Sequence, residues 1–376
     1  MRDVQEGLRQ RGGLINNVQF LRAFAAIAVV FLHSTSGGGL ILPISYGHFG
    51  VDIFFVISGF IISYIADADP TQFLRKRIIR IVPFYWSATI CVFLIAHTFP
   101  ALVRTAPTDL RTLISSLLFI PYDALNHTNP FMYGRQTLLL GWTLNYEMYF
   151  YAVLAMSLWI SRRWASMISA VAILTIMAAV NAAGVKLLPG AFYGNYIVVE
   201  FVYGILIFQA FRYIPWIQKR ADKLDAGFMA CAILCAASFI FLLSRHQPDT
   251  GQGRFITAGL PAIVFVGCAI IFEKRYAIAV RNAWLLMLGE ASYVLYLTHL
   301  YVISGALRLV FKGAQHWPPA AQWGLVLIFI GASIAAAIVI HIFFERPIIS
   351  ALRKRFLHRP PPAIFVSIQT PPSGFP

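Results

Sequence analysis

Apolar segments of a length that spans a lipid bilayer recur through most of this 376-residue chain. Each covers about 17 to 25 residues, and an α-helix of that length crosses the ~30 Å hydrocarbon core of a membrane. We expect about ten spans, at 17–32, 49–65, 81–98, 138–160, 165–183, 191–211, 226–244, 255–272, 284–309 and 322–344. With 59% hydrophobic and 12% charged residues, a soluble protein of this length could not bury its apolar surface. The sequence therefore predicts an all-α, polytopic membrane bundle.

The positions of the basic residues predict how the spans are oriented. Of the 30 Lys and Arg residues, twenty lie before the first span or after an even-numbered span. Loops rich in Lys and Arg stay in the cytoplasm, so we expect both termini there and the bundle in a bacterial inner membrane. This asymmetry also explains the net charge of +15, which is then no evidence for nucleic acid as a partner.

No segment outside the spans is long and polar enough to form a separate soluble domain. We divide the chain into a cytoplasmic segment at 1–16, one membrane domain at 17–352 and a cytoplasmic tail at 353–376. The tail is rich in proline and lacks a helical period, which predicts disorder. The 4 cysteines fall within predicted spans without a metal-type cluster, so we expect packing residues and no bound metal.

Ionisable residues at membrane depth are candidates for function, because each is costly there unless it faces a partner or water. The first span carries Arg22 and His33, eleven residues apart. At about 100° and 1.5 Å per residue, the two side chains lie within about 20° of one helix face and about 16 Å apart along the axis. We expect both to face one cleft. A snorkelling anchor for Arg22 and a packing role for His33 are the alternatives.

Further candidates lie in or beside other predicted spans. Asp52 begins the second span near the predicted depth of His33 and could hold its imidazole. Arg77 and Arg80 share a helix face after that span and could grip phosphates, although a purely topogenic basic cluster is the alternative. Glu147 lies inside the fourth span, where a carboxylate needs a cation or a proton. Other polar residues at membrane depth are Glu200, Glu290, Thr298, His299 and Glu345, for which structural hydrogen bonds between helices are the alternative.

Several ordered motifs carry a family resemblance. They are the Arg22 to His33 spacing and the segments GVDIFFVISGFII, FLRKRIIRIVPFYW, WTLNYEMYFY and SYVLYLTHL, with FERP following later. Together they resemble the acyltransferase-3 family of membrane acyltransferases, and within it the exopolysaccharide O-acetyltransferase branch of the succinoglycan type. The resemblance extends from about Asn17 to Leu352, nearly the whole chain.

The resemblance implies a ten-helix enzyme that takes an acetyl group from cytoplasmic acetyl-CoA and acylates a hydroxyl of a lipid-linked or nascent polysaccharide. By position, the family's paired arginine and histidine fall on Arg22 and His33, and its two-arginine motif falls on Arg77 and Arg80. Its intramembrane acidic position falls on Glu147. Membrane lipids, the saccharide acceptor and the machinery of polysaccharide polymerisation and export are the expected partners.

The resulting hypothesis assigns the CoA phosphates to the three arginines. His33 then either deprotonates the acceptor hydroxyl or accepts the acyl group itself, and either Asp52 or Glu147 orients its imidazole. Acetyl and succinyl are both open as the acyl group. The alternative function is a proton-coupled transporter or flippase of a lipid-linked saccharide, because such proteins also use intramembrane His, Glu and Arg. Helices interrupted by Gly or Pro at corresponding positions in two halves of the chain would favour a transporter, and the sequence lacks such a pair.

Overall fold

The computed structural model describes residues 15–37, 46–101, 103, 106–122, 136–244 and 253–357. Every regular element in these ranges is helical, which confirms the predicted all-α fold. The predicted N-terminal segment lies outside the described residues apart from Ile15 and Asn16, and the tail lies outside them beyond Leu357.

The described residues contain ten long helices, one for each predicted span. They are α1 (Asn16–Leu32), α2 (Phe49–Ala68), α3 (Phe73–Thr98), α4 (Trp142–Ile160), α5 (Ala165–Ala182), α6 (Val199–Tyr213), α7 (Ala226–Ser244), α8 (Leu260–Lys274), α9 (Ala283–Leu309) and α10 (Pro319–Ile340). A π-helical turn, His33–Gly37, continues α1, and another, His341–Glu345, joins α10 to a final helix, Arg346–Phe356. Because α3 begins eight residues before the predicted third span, Arg77 and Arg80 lie on a helix and not in a loop.

Nine helices in the described ranges are long and apolar enough to cross a membrane. The tenth, α4, has 19 residues but is less apolar, since it contains Asn145, Glu147 and several tyrosines. Two of its polar residues, Thr143 and Asn145, are buried inside the bundle. The polar side of α4 is therefore covered by other helices and does not face lipid.

Contacts between helix ends define the two ends of the bundle. The backbone N–H of Asn17 donates to Glu273 at the end of α8, with an N to O distance of 2.7 Å. At the end of α6, Arg212 forms a 2.7 Å ion pair with Asp67 at the end of α2. Thus α1 begins where α2, α6 and α8 end. We call this the basic end, because the arginine-rich first turns of α3 lie there too.

Two glycine contacts bring the central helices close together. A Cβ atom on Gly59 of α2 would lie 2.1 Å from the carbonyl oxygen of Phe201 in α6. A Cβ atom on Gly289 of α9 would lie 2.2 Å from the carbonyl oxygen of Gln19 in α1. Only glycine allows such an approach of two backbones. With α2 also packed on α1, these contacts set the spacing of the helices that carry the candidate residues.

Candidate active site

A cavity of about 130 Å³ lies between α1, α2, α3, α4 and α9. Its walls include Arg22 from α1, Arg77 and Arg80 from α3, and Glu147 from α4. The fold thus brings four of the six predicted site residues to one cavity, from three helices that are distant in the chain. The other two, His33 and Asp52, do not line it.

Glu147 is the acidic centre of the cavity. Its carboxylate accepts a hydrogen bond from the hydroxyl of Ser58 at 2.7 Å, and Arg22 and Arg77 are its nearby cations. Two guanidinium groups around one carboxylate leave positive charge for a further anion. Tyr151 also lines this part of the cavity and lies beside Glu147 and Arg77.

One donor group of Arg77 lacks an acceptor among the described residues. Its Nε–H is buried and has no hydrogen-bond partner among the described residues, while its guanidinium lies 6.0 Å from the ring centroid of Phe73. A buried donor is normally paired, because leaving it unpaired costs about 1–3 kcal/mol. An anion in the cavity would complete the hydrogen bonding of Arg77.

Arg80 is held by hydrogen bonds to α9 and to the turn that follows α10. Its Nη1 donates to Glu345 at 2.7 Å, and its Nη2 donates to the carbonyl oxygen of Glu290 at 3.3 Å. Glu345 is fully buried, and its other oxygen lies 2.5 Å from Nδ1 of His341. The carboxylate therefore fixes the guanidinium of Arg80 at the cavity wall. Sequence reasoning named Glu345 but did not connect it with Arg80, because 265 positions separate the two residues.

His33 lies beyond the cavity, in the π-helical turn that continues α1. Its Nδ1 is 2.9 Å from the carbonyl oxygen of Val29, and a carbonyl oxygen can only accept, so Nδ1 carries the proton. The lone pair is then on Nε2, which has no hydrogen-bond partner among the described residues. His33 thus presents a basic nitrogen that none of the described residues uses.

A second histidine contacts His33. Nε2 of His299 in α9 lies 3.4 Å from Nδ1 of His33, and the two ring centroids are 5.2 Å apart. Sequence reasoning placed His299 near the middle or outer half of its span but missed the contact, since nothing in a sequence pattern pairs residues 266 positions apart. Tyr296 connects this pair with the cavity: it lines the cavity wall, and its ring centroid is 6.3 Å from that of His299.

Asp52 is engaged elsewhere in the described structure. Its buried carboxylate accepts two hydrogen bonds from Arg254, at 2.8 Å from Nε and 2.9 Å from Nη2. Glu147 is bonded to Ser58, as described above. Within the described ranges, neither of the two carboxylates that the sequence offered for orienting His33 forms a hydrogen bond with it. Nor does any group of three or more His, Cys, Asp or Glu side chains there form a metal site.

Comparisons with known proteins place the chain among acyltransferases. Residues 15–342 match the family described as an acyltransferase domain, acyltransferase-3. The chain is 32% identical to the exopolysaccharide production protein ExoZ of Rhizobium meliloti (strain 1021), over 82% of this chain and 92% of that protein. It is 26% identical to the acyltransferase MdmB of Streptomyces mycarofaciens, over 89% of this chain and 92% of that protein.

A third similar protein is a putative peptidoglycan O-acetyltransferase, YrhL of Bacillus subtilis (strain 168). The two are 26% identical over 90% of this chain, which covers 56% of the length of YrhL. No solved structure matches the chain.

Proposed function

Because the chain belongs to the acyltransferase-3 family and is therefore a membrane acyltransferase, we propose that it transfers an acetyl group from cytoplasmic acetyl-CoA to a sugar hydroxyl. The proposed acceptor is a lipid-linked or nascent exopolysaccharide. One similar protein is named for exopolysaccharide production and another as a putative peptidoglycan O-acetyltransferase, and both names support a saccharide acceptor. The proposed location is the bacterial inner membrane, with the basic end of the bundle in the cytoplasm, where the basic residues favour it.

The observation that carries the proposal is the arginine-lined cavity. Arg22, Arg77 and Arg80 converge there, whereas Glu147 is the one carboxylate among the described lining residues and Glu345 pairs with Arg80 from behind the wall. CoA carries several phosphate groups, and guanidinium groups bind phosphate oxygens through forked hydrogen bonds. A basic end in the cytoplasm would expose this cavity to the compartment that contains acetyl-CoA. The proposed roles of the arginines are to hold the phosphates, and that of Glu147 is to position Arg22 and Arg77.

The distance between the cavity and His33 suits a long, flexible carrier. Arg22 and His33 are eleven residues apart on one helix, which corresponds to about 16 Å along its axis. An extended pantetheine arm is of comparable length, so phosphates held near Arg22 would allow the thioester to reach His33. The arm would pass Tyr296, which lies between the cavity and the histidine pair.

The proposed chemistry uses the lone pair on Nε2 of His33. In direct transfer, Nε2 takes the proton of the acceptor hydroxyl while its oxygen attacks the thioester carbonyl. The new C–O bond forms, the C–S bond breaks, and the proton passes to the CoA sulfur, which leaves as the thiol. In the two-step alternative, Nε2 itself attacks the thioester carbonyl, the C–S bond breaks and CoA leaves as the thiolate. The hydroxyl oxygen then attacks the acyl carbon, the N–C bond breaks, and the hydroxyl proton passes to the thiolate. Both routes require the same nitrogen to be unprotonated.

The proposed role of Asp52 is to position groups at the end of the bundle opposite the basic end. Its two hydrogen bonds fix Arg254, whose Nη2 also donates to the carbonyl oxygen of His48 at 3.3 Å. His48 precedes α2 and lies on the same side of the bundle as His33. In this role Asp52 positions the backbone at His48, near the end of the bundle where the saccharide acceptor would bind, and does not act directly on His33.

The test is the O-acetyl content of isolated exopolysaccharide, measured by proton NMR. A deletion strain would be complemented with the wild type, with His33→Ala, or with a matched control, His97→Ala, whose side chain is exposed at the end of α3. We expect the wild type and His97→Ala to restore the ester signals and His33→Ala to leave them absent at equal membrane abundance. Ester content unchanged by the deletion would contradict the proposal and favour transport of a lipid-linked saccharide. Normal acetylation by His33→Ala would remove His33 from the mechanism.

A further inference from the structure

We propose that His299 is the positioning residue for His33 and takes the place that a carboxylate occupies in a Ser-His-Asp triad. This inference rests on the proposed function, in which Nε2 of His33 acts on the acceptor hydroxyl or the acyl group. It concerns the other ring nitrogen of His33, Nδ1, which faces α9.

The hydrogen bonds of both rings define which nitrogen donates. Nδ1 of His299 lies 3.0 Å from the carbonyl oxygen of Leu295, so this nitrogen carries the proton of His299. Its Nε2 is then an acceptor, and it points at Nδ1 of His33 from 3.4 Å. The Nδ1–H of His33 is thus shared between two acceptors, the carbonyl oxygen of Val29 at 2.9 Å and His299. Two acceptors on separate helices restrain the ring against rotation better than one.

Burial makes His299 a rigid partner. Its side chain is fully buried, its ring is anchored to its own helix through Leu295, and Tyr296 packs beside it. The contact of Gly289 with Gln19 fixes the spacing of α9 and α1, the two helices that carry the pair. A neutral imidazole also avoids the desolvation penalty that a carboxylate would have at this depth.

Neither of the two candidate carboxylates takes the position beside Nδ1 of His33. Asp52 is occupied by both N–H groups of Arg254, and Glu147 accepts from Ser58 in the cavity. The described groups bonded to the His33 ring are therefore the Val29 carbonyl and His299. The role left to His299 is to keep Nδ1–H bonded and Nε2 directed at the reacting groups.

The experiment compares two substitutions of similar size, His299→Gln and His299→Met. The Gln side chain offers a carbonyl oxygen near the position of Nε2, whereas the Met thioether is only a weak acceptor. Membrane vesicles from the deletion strain, carrying each variant, would be supplied with radiolabelled acetyl-CoA, and label in the saccharide fraction would be measured. Thr298→Ala, one residue earlier in the same helix, is the control for local disturbance.

We expect His299→Met to lower kcat about tenfold to hundredfold, because a misdirected reacting group has effects of that size. The KM for acetyl-CoA should stay within about twofold of the wild-type value, since the phosphates are held at the distant arginines. His299→Gln should recover most of kcat, and Thr298→Ala should match the wild type.

The possible failures are distinguishable. Wild-type kcat in His299→Met, together with an inactive His33→Ala, would overturn the positioning role and leave the proposed function standing. Equal losses in His299→Met and His299→Gln at equal membrane abundance would also overturn it, because acceptor capacity would then not matter. Activity in His33→Ala itself would instead overturn the proposed function.

Discussion

Nη1 of Arg80 lies 2.7 Å from Oε1 of Glu345, and this ion pair joins the start of α3 to the turn that follows α10. The buried carboxylate sets the direction of the guanidinium at the cavity wall. Under the proposed function, this ion pair orients one of the arginines that bind the donor.

Glu345→Gln should weaken donor binding without abolishing turnover. The substitution keeps the shape of the side chain but removes the charge that holds Arg80, so we expect the KM for acetyl-CoA to rise about threefold to tenfold, with a smaller change in kcat. Vesicle assays over a range of acetyl-CoA concentrations provide both constants. Glu290→Gln is the comparison variant: the backbone carbonyl that accepts from Arg80 is kept, and the carboxylate that is removed acts on Arg80 through its charge rather than through a hydrogen bond in the described structure. We expect a smaller rise in KM for it than for Glu345→Gln. An unchanged KM in Glu345→Gln would separate Arg80 from the donor.

Arg77→Lys should distinguish phosphate binding from a purely topogenic role. Lysine keeps the positive charge and hence the topology, but it loses the forked donors, so we expect the KM for acetyl-CoA to rise about tenfold. Arg75→Lys should behave as the wild type, since Arg75 is exposed in the same basic cluster and does not line the cavity. Equal KM values for the two variants would favour the topogenic alternative.

Asp52→Asn should lower the stability of the bundle. Removing one partner of a buried, doubly hydrogen-bonded ion pair costs about 3–5 kcal/mol, and both Asp52 and Arg254 are mostly buried. The thermal unfolding temperature of the detergent-solubilised protein would measure the loss. Adding Arg254→Gln in the same chain should recover part of it. Lost activity at an unchanged unfolding temperature would instead indicate that Asp52 takes part in the chemistry.

The contribution of Asp225 to stability should depend on pH. Hydrogen bonds from Tyr276 at 2.6 Å and from Arg275 at 2.7 Å lower the pKa of its carboxyl group below the ordinary value. A lowered pKa in the folded state means that the contribution is present above the ordinary pKa, about 3.9, and is lost as the carboxylate becomes protonated at lower pH. Asp225→Asn should therefore lower the unfolding temperature near pH 7. The difference from the wild type should shrink on acidification, and a constant difference would contradict the linkage.

The helices were predictable from sequence because their signal is local. The length and apolarity of each run reflect the thickness of a bilayer, and no partner helix is needed to recognise them. Residues on one helix were also predictable together: Arg77 and Arg80 share a helix, as their spacing of three required. The convergence of these two arginines with Arg22 and Glu147 on one cavity joins three helices and was not predicted; Arg22 was expected to share a cleft with His33, which does not line this cavity.

Pairing between helices was not predictable in this way. Arg80 with Glu345 and His33 with His299 are contacts across nearly the whole chain, and they depend on which helices are neighbours. Asp52 was a candidate partner for His33 because the two residues lie near one depth in the membrane. Depth alone does not determine the direction in which each side chain points around its own helix. Asp52 instead accepts hydrogen bonds from Arg254. Arg254 lies in a segment that the charge pattern identified only as a loop on the side opposite the cytoplasm.

The placement of Arg22 and His33 on a single continuous helix makes α1 a molecular ruler. Helix rise is nearly invariant, so the backbone positions of Arg22 and His33 stay about 16 Å apart along the axis whichever rotamers the two side chains adopt. Under the proposed function, such a ruler would select the donor by the length of its carrier arm. Acyl groups of different size on the same carrier would arrive with their thioester at the same point. Discrimination between acetyl and longer acyl groups would then belong to the walls around His33 and not to the arginines.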